Sequence, residues 1–407
     1  MEKFTAHTLL SHSEVKNYLI DTLQLFEENT PLIIEEIGDG NINYVFKATD
    51  SAAEKSIIVK QSDTLLRSSG RPLDISRNKI EADILKLYHQ LVPTYVPEVY
   101  AYDEKLALIV MEDISACKNL RHELMDEQTF PAFAEDISTF LVTTLLSTTD
   151  LCWDKKEKKQ MVKAFTNIDM CDISEDLVFT EPYNNYKNRN VIIEDNQEFV
   201  ETHIYNNQAL IGEVAQLRNN FMNNAQALLH GDLHSGSIFV GQSAMKVIDP
   251  EFAFYGPMGY DIGNVIGNLF FPLARTANYS ANEEFSQWLT DTIETIYDLV
   301  ESKLTLAYDQ KVTLSLYQNE AFKAHYIKEI MADSLGYAGT EIIRRIIGDA
   351  KVAEISEAPD GTQRVLMERH LLKFAEALIL NRSEITTGKE LLELYRVSAP
   401  LAQQNGG

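Results

Sequence analysis

Three carboxylates near the middle of the chain combine types and spacings that can do chemistry. Asp232 stands in the run His230, Gly231, Asp232, Leu233, His234, Ser235, Gly236, Ser237, and seventeen residues further on come Asp249, Pro250 and Glu251. A carboxylate held in a glycine-containing loop can orient a hydroxyl nucleophile or take its proton. Two acidic side chains one residue apart in an extended segment can reach one hard cation, and oxygen ligands of this kind suit magnesium. Pro250 stiffens that spacing and keeps the pair out of a helix. His230 and His234 lie four apart, but the glycines favour a loop over a helix and no third ligand is evident, so a histidine metal site is rejected. His230 reads instead as a scaffold that fixes the loop by hydrogen bonding. Asp261, in the run Gly259, Tyr260, Asp261, Ile262, Gly263, reads as an N-cap or loop brace.

These groups need elements to hold them. Residues 1–111 are rich in strand signals: an apolar, β-branched run at 32–37, a period of two through Tyr44, Phe46 and Ala48, a short run at 56–60, and a buried-strand candidate at 106–111. Between the last two lies a helix with Ser76 as its expected N-cap and Ile80, Ile84, Leu87 and Leu91 on one face. After about residue 115 the pattern turns helical, with helix-length segments at 131–148, 198–226, 282–306, 316–337, 363–380 and 388–396. Two short strands at 237–240 and 245–248 interrupt them, and 180–197 reads as a polar, Asn-rich surface insertion. The expected fold class is α+β with two lobes: a small β-rich lobe over 1–111, a hinge at 112–119, and a large, mainly α-helical lobe over 120–407.

Placed on these elements, the chemical residues fall into one order. Gly38, Gly40 and Asn43 lie at the first hairpin turn, Lys60 ends the third strand, and Glu81 on the next helix is placed to pair with it. Glu112, Asp113 and Ile114 follow the buried strand at the hinge position, and Asp232 and then Asp249 come last. A glycine-rich turn or an isolated His-Gly-Asp is weak evidence alone. Six parts in this order with compatible gaps are strong evidence for a two-lobe, protein kinase-like phosphotransferase.

The run HGDLHSGS (230–237), then IDPEF (248–252) and FYGPMGYDIGN (254–264), resembles the 5-methylthioribose kinase family, related to aminoglycoside and choline kinase-like enzymes. GDGNINYVF (38–46) and IIRRIIG (342–348) fit the same pattern, and the likeness runs from about residue 30 to 380. The Asp-Pro-Glu triplet discriminates most, because protein kinases carry Asp-Phe-Gly there. The resemblance implies a homodimeric enzyme that phosphorylates O1 of methylthioribose with ATP and Mg2+ in methionine salvage. It assigns Asp232 to the acceptor hydroxyl, and Arg344 and Arg345 to the sugar site. It assigns Gly38, Gly40, Asn43, Lys60, Glu81, Glu112, Asp113, Ile114, Asp249, Pro250 and Glu251 to ATP, with Asp249 and Glu251 holding the metal. For the arginine pair the alternative is an inter-helix or dimer salt bridge.

Two departures stand out. Ser237 occupies the position where many kinases carry a metal-binding asparagine, which fits this family's pattern and leaves Glu251 as second ligand. The 67–73 loop, described in relatives as containing tryptophan, has none here and carries Arg71. The alternatives within the fold are another small-molecule kinase, acting on an aminoglycoside, choline or homoserine, or a non-catalytic nucleotide-binding pseudokinase.

Composition sets the outer limits. Lys plus Arg number 36 against 61 Asp plus Glu, a net charge of −25, which gives no footing on a phosphate backbone and argues against nucleic acid or a polybasic membrane anchor. Three scattered cysteines support neither a disulfide framework nor a zinc site. No apolar run approaches the ~20 residues of a membrane span. A cytoplasmic protein is expected, and any anionic ligand must find its positive potential locally.

Overall fold

The computed structural model describes residues 7–37, 43–53, 55–65 and 74–399; Gly38, Gly40 and Arg71 lie outside them. A short helix, α1 (His12–Asn17), precedes an antiparallel sheet of β1 (Leu32–Glu36), β2 (Asn43–Asp50), β3 (Lys55–Ser62), β4 (Val99–Asp103) and β5 (Leu108–Glu112), in the order β1-β2-β3-β5-β4. Side chains alternate along each strand. Ile57 and Val59 therefore join Phe46, Ala48, Leu108 and Val110 in a core closed by Leu10, Val15 and Leu19. Ile58 and Ile109 face the other way, into the core that contains Ile80, Ile84 and Tyr88 of α2 (Ser76–Leu91). Lys60 shares the Ile58 face, and that parity delivers its ammonium to α2.

The start of α2 corrects one expectation. Ser76 is the first helical residue, not the cap; Ile75 occupies the cap position, and Asp74 Oδ1 accepts the Ser76 N–H at 2.8 Å. The acceptor two residues upstream does what the serine hydroxyl was expected to do.

The remaining chain is mainly helical. In order it forms β6 (Lys118–Asn119), α3 (Leu120–Met125), α4 (Phe133–Ser147), α5 (Lys155–Ala164), α6 (Ile168–Phe179), α7 (Glu181–Asn184), α8 (Gln197–Val200) and α9 (Gln208–Asn223). Then come β7 (Ala227–Leu229), β8 (Ile238–Val240), β9 (Met245–Val247), β10 (Phe254–Gly256), α10 (Gly259–Tyr279), α11 (Glu283–Lys311), α12 (Glu320–Ile347), α13 (Ala353–Ser356), α14 (Thr362–Asn381) and α15 (Gly388–Val397). β6 pairs with β8 and β8 with β9, so residues 118 and 119, read as hinge, belong to a strand of the C-terminal part.

Asparagine caps explain several starts: Asn282 accepts the Phe285 N–H and Asn319 the Phe322 N–H, which begins α12 at 320 rather than 316. The helix expected over 198–226 is broken. A π-turn at Glu201–Tyr205 ends its first part, and Asn207 caps α9 afresh through the Leu210 N–H. The 180–197 stretch is not a free surface insertion. Glu181, Pro182, Tyr183 and Asn196 are buried in it, and the Val191 N–H donates to Ile347 O at 2.8 Å.

The helix α10 was not foreseen, because its glycines and Pro272 read as loop signals. They serve close packing instead. A Cβ on Gly263 would lie 2.3 Å from Ser334 O of α12, so the two helices touch through their backbones. This contact brings the far end of α12, with Arg344 and Arg345, against the loop that carries Asp232.

Candidate active site

One ion cluster joins β3, α2 and the segment after β9. Lys60 Nζ lies 2.7 Å from Glu81 Oε1, the expected pairing, and 2.6 Å from Asp249 Oδ1, which was not foreseen. Burial alone would lower the Lys60 pKa, but Asp249, Glu81 and Glu251 outweigh it and hold the group charged. Burial pushes the Glu81 carboxyl up to about 7 against the pull of Lys60. Asp249 sits at φ +61°, in the left-handed region that non-glycine residues seldom adopt. Its side chain is 48% exposed, facing open space from a strained backbone.

Arg77, one turn before Glu81 on the same helix face, is fully buried and was missed by sequence reasoning. Its Nε lies 3.3 Å from Glu251 Oε2, and its second guanidinium nitrogen donates to Asn43 Oδ1 at 3.4 Å. Ser62 Oγ also donates to Asn43 Oδ1, at 2.8 Å, so Asn43 is a buried link between β2, β3 and α2. Asn167, also unforeseen, donates to the backbone carbonyls of Glu251 and Ala253 at 2.8 and 3.1 Å. The hinge residues use their side chains for bracing. Asp113 pairs with Lys47 at 2.8 Å and Glu112 with Lys246 at 3.0 Å. The Ile114 carbonyl accepts the Cys117 N–H at 2.8 Å, and the Pro250 carbonyl the Ala253 N–H at 3.1 Å.

Glu81, Asp249 and Glu251 thus converge on two cations, Lys60 and Arg77. Burial, with the like charge of Asp249, raises the Glu251 pKa against the pull of Lys60 and Arg77. An all-oxygen donor pair such as Asp249 and Glu251 suits a hard divalent cation. Among the described residues no three His, Cys, Asp or Glu side chains surround one metal position, so a cation here takes the rest of its shell from elsewhere.

The second cluster surrounds Asp232. Gly231 has φ +86°, and a Cβ there would sit 2.2 Å from Phe252 O, so only glycine fits this turn. Asp261, in the first turn of α10, accepts the His230 and Gly231 N–H groups at 2.7 and 3.0 Å, while His230 Nε2 meets Ile248 O at 2.9 Å. Asp261 is therefore a loop brace, and His230 the scaffold expected of it. From α12, Arg344 reaches Asp232 Oδ1 at 3.0 Å and Arg345 stands 3.7 Å from the same oxygen.

Both arginines are held by Glu341, whose Oε2 takes Arg344 Nε and whose Oε1 takes Arg345 Nε at 2.8 Å. Residues three and four positions on along a helix share one face, so adjacent arginines can fork one carboxylate. Burial would raise the Glu341 carboxyl, but the two guanidiniums bring it down to about 2. Burial likewise opposes Asp232 ionisation, and His234, Arg344 and Arg345 reverse it, holding that carboxyl well below the usual range. Asn268 donates to Glu341 at 3.0 Å, and Arg121 of α3 touches both Asn268 and Ser235, at 3.3 and 3.0 Å. Glu341, Asn268 and Arg121 were not legible as site residues; only the i, i+3, i+4 spacing of Glu341 to the arginine pair hinted at its role.

A lysine–glutamate pair under a small sheet, a looped aspartate and a strained aspartate after β9 are the arrangement of a phosphotransferase. Residues 33–288 match the phosphotransferase enzyme family, and the chain belongs to it. The comparison with individual relatives is narrower. The chain is 37% identical over 375 residues to a methylthioribose kinase of Geobacillus sp., covering 92% of each sequence. It is 37% identical over 361 residues to one of Bacillus cereus (88% of this chain, 90% of the relative), and 36% over 365 residues to one of Yersinia pseudotuberculosis (88% of each). The chain belongs to the methylthioribose kinase family, with its two-lobe kinase-like fold. Among solved structures, an ethanolamine kinase of Plasmodium vivax aligns over 98% of this chain and 93% of its own, with 12% identity and a TM-score of 0.47.

Proposed function

We propose that the protein transfers the γ-phosphoryl group of ATP to the O1 hydroxyl of 5-methylthioribose, giving the 1-phosphate for methionine salvage. The observation that carries this reading is Asp232 held by Arg344 at 3.0 Å, in a chain 37% identical to methylthioribose kinases. Asp232 orients the acceptor hydroxyl. Its depressed pKa makes it a weak base, which suits a loose transition state in which alignment precedes proton removal. Lys60, positioned by Glu81, neutralises nucleotide phosphates, and Gly38, Gly40 and Asn43 contact the nucleotide, Asn43 from the start of β2. Residues 112–114 meet adenine through backbone groups. Asp249 and Glu251 would hold Mg2+, which would supply positive charge to offset that of the nucleotide phosphates. Arg344 and Arg345 supply positive charge at the sugar, and the active form is a cytoplasmic homodimer.

Two features support the nucleic-acid-free, membrane-free part of the reading. The net charge is −25, and among the described residues no helix is long and apolar enough to cross a membrane. The test is ADP release on adding methylthioribose with ATP and Mg2+. Turnover is expected with this sugar. Turnover only with an aminoglycoside, choline or homoserine would assign another small-molecule kinase, and ATP binding without any turnover would assign a pseudokinase.

A further inference from the structure

The side chain of His234 sits inside the Asp232 cluster, 3.3 Å from Asp232 Oδ2. Its ring is placed by a built contact: the Gly236 N–H donates to His234 Nδ1 at 2.9 Å. Residue 236 must be glycine for this, since a Cβ there would meet the ring at 2.8 and 2.9 Å. Ser237 Oγ, which donates to Asp232 O at 3.1 Å, also lies 3.5 Å from Nδ1. With Nδ1 committed as an acceptor, the proton of the neutral imidazole is on Nε2. Nε2 stands 3.3 Å from Asp232 Oδ2, the oxygen that Arg344 does not take.

We propose that His234 is a positioning residue for Asp232: its Nε2–H holds Oδ2 while Arg344 holds Oδ1, leaving one Oδ2 lone pair for the acceptor hydroxyl. This rests on Asp232 as the group that orients that hydroxyl. The 3.3 Å separation is long, and such contacts tighten in the loaded complex. His234 cannot take the proton itself, because Nε2 already carries one and Nδ1 is spent on Gly236. It acts as a fixed neutral donor, unlike the relay histidine of a catalytic triad.

The surroundings keep it neutral. Burial lowers the His234 pKa and Arg345 and Arg121 oppose a further positive charge; Asp232 and Asp249 favour one, but the net shift is downward. Asp232 in turn faces His230 and His234 on its own loop, Arg344 and Arg345 on α12, Arg121 on α3, and Tyr260 and Asp261 on α10.

Two substitutions separate the ring's two contacts. His234→Asn keeps an acceptor for the Gly236 N–H but loses the donor to Asp232. His234→Gln restores an N–H near the Nε2 position. We expect kcat to fall about tenfold in the Asn variant with KM for ATP unchanged, and to return within about threefold of the parent in the Gln variant. Removing a donor raises the Asp232 pKa, so the acidic limb of kcat/KM moves to higher pH in His234→Asn. Loss of packing alone would not move that limb.

An Asn variant with parent kcat and an unmoved limb overturns the proposal. Asp232→Asn is measured alongside: if that variant keeps its activity, the reading beneath the proposal fails and the proposal with it. If it is inactive while His234→Asn is unaffected, only the proposal fails. Nitrogen-15 NMR of the labelled parent gives an independent result without any variant. The Nε2–H tautomer is expected for His234, and the Nδ1–H tautomer overturns the assignment.

Discussion

Arg344 and Asp232 lie 112 residues apart in sequence and 3.0 Å apart in space. The ion pair joins the end of a long helix to the loop of residues 230–237, and the glycine contact between α10 and α12 holds the two together. The net charge of −25 is not reversed here: Lys60, Arg77, Arg344 and Arg345 are paired by Glu81, Asp249, Glu251, Asp232 and Glu341, so the proposed anionic nucleotide would need a bound divalent cation to offset its charge.

Arg344→Lys should lower kcat by about 10²-fold, although the charge is kept. A planar guanidinium bridges Glu341 and Asp232 from two nitrogens, and an ammonium cannot reproduce that fork. Steady-state kinetics with both substrates checks this, with KM for ATP expected to stay within about twofold of the parent. A kcat equal to the parent's would remove Arg344 from the site.

Glu341→Gln should destabilise the protein by about 3–5 kcal/mol at pH 7, because it leaves two buried guanidiniums without their shared carboxylate. The pH dependence has a definite sign. The carboxyl titrates near 4.5 in the unfolded chain and near 2 in the folded one. Its stabilisation is therefore complete above about pH 5 and is lost as pH falls toward 2, starting from about 3 kcal/mol. Urea melts should show the gap between parent and variant narrowing by about 2 kcal/mol at pH 3. A gap that does not change with pH would contradict the assignment.

Asp249→Asn should raise the magnesium concentration needed for half-maximal rate by at least about tenfold, since one of two carboxylates is gone. Chelation with EDTA should abolish activity in the parent, and added Mg2+ should restore it. Full activity in EDTA would show that the Asp249–Glu251 pair holds no essential metal.

Gly231→Ala should cost about 1–3 kcal/mol of stability and most of the activity. The residue sits at φ +86°, and the added Cβ would meet Phe252 O. Thermal melts and ADP release check the two effects. A variant with unchanged melting and turnover would mean the loop can be built another way.

Much of this was legible in one dimension because it depends on local rules. A period-two run places β2 and a short β-branched run places β3, and the parity of Lys60 with Ile58 follows from strand alternation. Ile80, Ile84, Leu87 and Leu91 mark α2. The order of Lys60, Glu81, Asp232 and Asp249 expresses connectivity, which a sequence states directly. The reading failed where burial overrides composition. Helix α10 looks like a loop because its glycines and Pro272 weaken helix propensity, yet those glycines let a backbone approach that side chains would block. The 180–197 stretch looks like an exposed insertion, because nothing in its polar composition says that Glu181 and Asn196 are enclosed.

The sequence by itself determined the class of chemistry, the β-before-α order of the chain and the Lys60–Glu81 pairing, since these depend on residue type and chain order. Only the tertiary structure decided the other pairings of cation and anion. Arg77 reaches Glu251 and Asn43, Glu341 forks the arginine pair, and His234 turns Nε2 toward Asp232. The physical reason is that an ion pair acts over a few ångströms. Its partners are chosen by how helices and loops pack across more than a hundred residues, and that distance is set by the fold rather than by spacing along the chain.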